Sequence, residues 1–239
     1  MRKIITSIAI LLAVTSSSMA HYMWVETSSA GSINQAQDIR VYFGEYTYGL
    51  EEKVGDEAFT KVQDFSLWVV SPSGKKTTLK TKEQETYYLA SFVPKENGTY
   101  TVILDNNNIG VIDYTQYDFG IFKTHYHSVA QIQVGETSGE TIAQNEEGIT
   151  VKRLAADGKE VKLQVLYKNA PLAKNELQVF VADQWSKTLH TDENGMVSFD
   201  RPWETKYIIE TTKKEEVPGQ YKGKDYQFIW HCATVCILP

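Results

Sequence analysis

The sequence predicts an all-β protein built as two tandem antiparallel β-sandwiches, of immunoglobulin-like and prealbumin-like type. Three observations predict it. Short apolar runs rich in β-branched and aromatic residues recur along the chain, which holds 14 Tyr, 9 Phe and 5 Trp in 239 residues; such residues suit pleated, half-buried surfaces. Turn formers separate the runs, among them Ser71-Pro72-Ser73-Gly74, Glu96-Asn97-Gly98 and Asp192-Glu193-Asn194-Gly195. Helical periodicity is rare: residues 49–61 are polar and have room for one or two helical turns within a long loop.

The first twenty residues have the three-part build of a secretory signal peptide. Arg2 and Lys3 supply the positive start, and residues 4–14 are apolar. That run is too short to cross a hydrocarbon core of ~30 Å. Ser18-Met19-Ala20 places small residues where a signal peptidase reads them, so the mature chain is expected to begin at His21, in a periplasm or outside the cell. Cleavage leaves 239 − 20 = 219 residues, with 24 − 2 = 22 basic against 30 acidic side chains and a net charge of −8. That balance repels a phosphate backbone and argues against nucleic acid as a partner. No later run is long and apolar enough for a transmembrane segment.

Taken in order, strands are expected at residues 21–26, 38–44, 65–71, 75–79, 86–93 and 98–105, then with breaks at 117–134. Residues 136–148, rich in Gly, Ser, Thr and Glu, read as a linker between an N-terminal sandwich, 21–135, and a C-terminal one, 149–239. In the second half strands are expected at 160–167, 175–182, 188–191, 196–199, 206–212 and 226–238. The two cysteines, Cys232 and Cys236, fall in the last of these. Four residues of strand separate Cα atoms by about 13 Å, against the roughly 4.4–6.8 Å a disulfide needs. Both are expected as free thiols.

The segments LQVLYKNAPLAKNELQVFVADQW, LHTDENGMVSFDRPW and KYIIET resemble the prealbumin-like, carboxypeptidase-regulatory-like modules of exported bacterial proteins. The opening HYMWVE and the end VPGQYKGKDYQFIWHCATVCIL resemble a bacterial family of two β-sandwiches with an "H-x-x-W-L-E" start and a "P-G-x-Y-x-G-K-x-Y…H-x-A-T" tail. DRPWETKYIIE is similar to its "P-W-x-G-x-Y" segment, with Glu204-Thr205 in place of the Gly. Members of that family are often described as periplasmic components of cobalt or nickel transport systems. The resemblance implies a metal ion as ligand and a membrane transporter component as partner.

The residues themselves also point to a metal. A mature first residue His21 would carry an α-amine of pKa ~7.7–8.0 beside an imidazole, two nitrogens that can chelate one ion. A further imidazole completes an N₃ set suited to Cu(II) or Ni(II). In this one respect His21 is similar to copper-resistance periplasmic proteins and lytic polysaccharide monooxygenases. His125 and His127 stand two apart in an expected strand, with both rings on one face and Cα atoms about 6.5–7 Å apart. His231 lies in the last strand, where the resembled tail also carries His. The expected metal ligands are therefore His21, His125, His127 and His231, for a divalent transition ion: nickel or cobalt, with copper as a further option. His190 reads as a surface residue. Glu26 falls on the strand face opposite His21, and Glu45 reads as a loop carboxylate. Trp24, Tyr42, Phe43, Tyr46 and Tyr48 read as core and rim.

There is no nucleophile elbow, phosphate-cradling Gly loop, H-E-x-x-H or paired-Cys zinc motif. No enzyme activity is expected. The rival to a metal carrier is a metal-free sandwich that binds a surface partner or a glycan; a copper oxygenase built on His21 is a second.

Overall fold

Nearly every apolar run in this chain becomes a strand, and strands decide the architecture. The structure is a computed structural model and describes residues 21–136, 145–154, 158–182 and 184–239. The expected signal peptide and most of the expected linker lie outside the described residues. In the first half the main strands are β1 (Tyr22–Glu26), β2 (Gln37–Glu45), β3 (Ser66–Val70), β4 (Tyr87–Phe92), β5 (Gly98–Asn106) and β6 (Gly120–Val134). In the second they are β7 (Ile149–Leu154), β8 (Glu160–Tyr167), β9 (Glu176–Val181), β10 (Trp185–His190), β11 (Met196–Asp200), β12 (Tyr207–Glu215) and β13 (Phe228–Ile237). The long loop between β2 and β3 holds a 3-10 turn, Tyr46–Tyr48, and one α-helical turn, Glu57–Thr60, which seats Phe59 in the core.

A ten-stranded sheet runs through both halves, its path being β10-β9-β12-β13-β6-β5-β3 and the short strand Lys76–Thr78. A second sheet, β1-β2-β4 with two short strands, covers it over the first half, and a third, β7-β8 with β11, covers it over the second. Two cores fill the gaps. The first draws on Met23, Val41, Phe59, Val102, Leu104 and Ile132, and the second on Ile149, Leu163, Leu177, Val179, Ile209 and Val235. The fold is all-β, with sheet packed on sheet in the immunoglobulin-like manner.

The halves are joined by more than chain continuity. β6 and β13 pair in parallel, with Phe122 against Phe228, His125 against His231 and Ser128 against Thr234. β1 lies across this junction and is buried on both faces. Met23 and Val25 enter the first core, while Tyr22 and Trp24 enter a third cluster with Tyr42, Ile208 and Cys232. That double burial explains why YMWVE shows no alternation of apolar and polar residues.

One edge of β1 pairs with β2. Side chains of the junction strands satisfy the other: Tyr126 Oη donates to the His21 carbonyl at 2.8 Å, Thr234 Oγ1 to the Met23 carbonyl at 2.7 Å, and Val25 N–H donates to Ser128 Oγ at 3.1 Å. Lys206 adds a clamp, its ammonium 2.6 Å from Glu26 Oε1 and 4.3 Å from the Tyr46 ring centre. Cys232 and Cys236 are free thiols on β13, as the strand spacing implies.

Thr234→Val keeps the side-chain shape but leaves the buried Met23 carbonyl unpaired. It is expected to lower stability by about 1–3 kcal/mol in urea unfolding followed by tryptophan fluorescence. The transition should stay single, because β6 and β13 share one sheet. Two separate transitions in the unmodified protein would show that the junction does not couple the halves.

Candidate metal centre

The strand register assembles the site. His125 and His127 are two apart on β6, so their rings lie on one face of the sheet. The parallel pairing sets His231 beside His125. The three ring centres are 4.0, 5.2 and 5.3 Å apart. All three residues are buried, at 2 %, 1 % and 1 % exposure. One nitrogen from each lies within 4.8 Å of the others.

Acidic and amide groups surround the trio. β5 pairs with β6 through Ile103 and Val129, and continuing that register sets Asp105 opposite His127. Asp105 meets His125 Nε2 at 2.9 and 3.0 Å, and its Oδ2 is 3.2 Å from His127 Nδ1. Asn145 Nδ2 donates to Asp105 Oδ2 at 2.7 Å and lies 2.9 Å from His127 Nδ1. His127 Nε2 is 3.0 Å from His231 Nδ1, and His231 Nε2 is 3.0 Å from Glu215 Oε2. Lys168 pairs with Glu215 at the outer end.

One proton arrangement satisfies the chain of contacts. With Glu215 ionised, His231 must donate from Nε2, which leaves its Nδ1 to accept from His127 Nε2. His127 Nδ1 is then bare and accepts from Asn145, while Asp105 Oδ2, 3.2 Å away, faces it without a hydrogen bond. Gly148 closes the cover over this ring: a β-carbon there would stand 2.0 Å from His127 Cε1, so only glycine fits.

Burial disfavours the imidazolium and pushes His127 down to about 3, with the neighbouring Asp105 carboxylate only partly opposing it. Burial likewise lowers His231 to about 4 against the pull of Glu215. Burial would raise Asp105 and Glu215, but the bonds from His125 hold Asp105 well below the usual carboxylate range, and Lys168 and His231 hold Glu215 down at about 2. At neutral pH the carboxylates of Asp105 and Glu215 are charged and the His127 and His231 rings neutral. Bare imidazole nitrogens with carboxylates at hand are the donor set of Zn(II), Co(II), Ni(II) and Cu(II) sites, so the residues fit such an ion.

The structure separates His21 from the trio. Tyr126 stands between His125 and His127 on β6 and points to the opposite face, where its hydroxyl bonds the His21 carbonyl. The His21 ring instead lies 2.7 Å from Glu52 Oε1 and 5.3 Å from the Phe43 ring centre. A single centre joining His21 to the other three is therefore not what the fold forms. His190 is exposed, 3.9 Å from Glu176. Glu26 is buried and bonds Trp24 Nε1 and Lys206. Glu45 is buried too, not a solvated loop group, because β2 extends through it. Trp24, Tyr42 and Phe43 are core, whereas Tyr48 is exposed.

Sequence reading missed Asp105, Asn145 and Glu215. Asp105 carried a signal in its place at the end of an expected strand, yet only the register shows that it faces His127. Asn145 and Glu215 come from chain segments that no local pattern links to the histidines.

Fold and centre define an all-β, two-core protein with a buried histidine–carboxylate cluster where the halves meet. The chain belongs to the DUF4198 family, a domain family of unknown function, whose model matches residues 18–215. The match includes Asp105, His125, His127 and Glu215 and stops short of His231. It names no nickel or cobalt transport role. No curated protein matches the chain. Among solved structures, a DUF4785 family protein from Legionella pneumophila is similar at 13% identity and TM-score 0.33, over 82% of this chain and 53% of that one. Salmonella alpha-2-macroglobulin is similar at 14% identity and TM-score 0.31, over 92% and 15%. Escherichia coli alpha-2-macroglobulin activated by porcine elastase gives 12% and 0.31, over 92% and 20%. The chain thus spans about half of the first structure and a fifth or less of the macroglobulins. Likeness at this level says nothing about role.

The buried rings predict a pH response of the metal-free protein. His127 and His231 have folded pKa values below the ordinary 6.5, so between about 6.5 and 4 the unfolded chain binds more protons than the folded one. Stability is complete above about 6.5 and falls as pH drops through that window, by up to about 1.4 kcal/mol per pH unit for each ring. Urea unfolding at pH 7, 6, 5 and 4 reads this slope. His127→Gln should flatten it.

Proposed function

We propose that this is an exported protein that binds one divalent transition-metal ion at His125, His127 and His231, and holds and passes it on without chemical turnover. The carrying observation is the convergence of three buried imidazoles with Asp105 beside two of them. Buried polar groups are costly unless satisfied, and three imidazoles in one pocket are an unusual way to fill a core. Asp105 offers a fourth donor. Glu215 orients His231 from behind, as carboxylates behind ligating histidines commonly do.

The resemblance to cobalt and nickel transport components supports a place in nickel or cobalt uptake, with a membrane transporter component as recipient. The donor set alone also supports copper handling, since the divalent order favours copper at almost any nitrogen site. A leader peptide followed by a chain without a long apolar run supports a periplasmic or secreted location. The rival, a metal-free sandwich that binds a surface partner, has the sandwich fold in its favour and leaves the histidine cluster without a purpose.

Isothermal titration of the full mature chain with Ni(II), Co(II), Cu(II) and Zn(II) tests the reading. Expected is a tight equivalent at the trio that survives His190→Ala and falls at least tenfold in affinity in His231→Gln and in Asp105→Asn. Equal binding by the unmodified chain and His231→Gln, with both folded by circular dichroism, would remove the trio as a site.

A further inference from the structure

A second polar cluster stands at the start of β1, on the other face of the large sheet. Tyr22 pairs with Gly44, and continuing that register sets His21 opposite Glu45. Glu45 is 7 % exposed, and its Oε2 has no hydrogen-bond partner among the described residues. An unpaired buried carboxylate oxygen costs more than a neutral polar group left in the same state, so a cation at this position has a physical reason. Burial raises the Glu45 carboxyl while His21 draws it back, which places the two within electrostatic reach.

The His21 ring is already oriented. Its Nε2 lies 2.7 Å from Glu52 Oε1, and a carboxylate oxygen accepts, so Nε2 is the donor and Nδ1 is the nitrogen left to a metal in the neutral imidazole. Nδ1 is the ring nitrogen that closes a six-membered chelate with the α-nitrogen of the same residue. In an unprocessed chain that α-nitrogen is a peptide nitrogen and a poor donor. Cleavage after Ala20 converts it to an amine.

We propose that His21 forms a second metal site, independent of the histidine trio and created by leader removal. The α-amine and Nδ1 of His21 chelate a divalent copper or nickel ion, Glu45 supplies an oxygen, and Glu52 holds the ring. Two nitrogens and one oxygen with positions left open suit these ions best of the first-row series. The trio offers a closed, buried set, whereas His21 is only half-buried, so the second site is the one an incoming ion meets from solvent.

The test is a Cu(II) titration of the processed chain, its start verified by N-terminal sequencing, beside the same chain with one Ala added before His21. Both are run as wild type and as His127→Ala. The processed wild type should take two equivalents and the extended form one; in His127→Ala these should fall to one and none. Glu45→Gln should weaken the N-terminal equivalent tenfold or more. If His127→Ala fails to fold, the two-against-one difference in the wild type decides. Loss of the trio's equivalent with this one intact strikes the function proposed above and leaves this site standing. Equal copper uptake by processed and extended chains overturns it. If the extended form is then also less heat-stable, Glu45 pairs with the ammonium alone. A mature start at any residue other than His21 overturns it as well.

Discussion

The parallel pairing of β6 with β13 is the contact on which the rest of the structure depends. Parallel neighbours cannot be joined by a tight turn, so two strands more than ninety positions apart meet only after both halves have brought them to the same place. The pairing turns two sandwiches into one continuous sheet and sets His231 beside His125. It also aligns Ser128 with Thr234, whose hydroxyls bond each other at 3.0 Å and satisfy the open edge of β1. An exposed edge strand invites pairing with other chains; here side-chain hydroxyls and Tyr126 close it.

The same junction determines what chemistry each face carries. Odd-numbered positions of β6 send His125 and His127 to one side, and even ones send Tyr126 and Ser128 to the other. The first side becomes a buried histidine pocket bordered by Asp105 and Glu215. The second holds the aromatic cluster around Tyr22 and Trp24 and the start of β1 with His21. One strand thus supports two polar centres that do not touch. Low dielectric around the first keeps His127 and His231 neutral while hydrogen bonding keeps Asp105 and Glu215 charged. That division suits capture of a cation.

Membership of DUF4198 and the β-sandwich architecture say what kind of scaffold this is, and function on such scaffolds resides in grafted sites. The buried histidines, their carboxylate neighbours and the glycine that admits His127 are the features here that packing alone does not require. The burial of Glu45 is another, since an apolar residue would fill its place without an unpaired oxygen.

Composition, turn formers and short apolar runs were enough to determine an all-β chain, and the two-residue spacing of His125 and His127 was enough to place their rings on one face. Period-two alternation is a local property, so it is readable without a partner strand. Register between distant strands is not local. It alone decided that His231 joins the pair, that Asp105 and Glu215 border it, and that His21 stands on the far face with Glu45. The apolar stretch YMWVE shows the same limit: it reads as a strand, but only the tertiary structure shows both of its faces buried, because two different halves of the molecule pack against it.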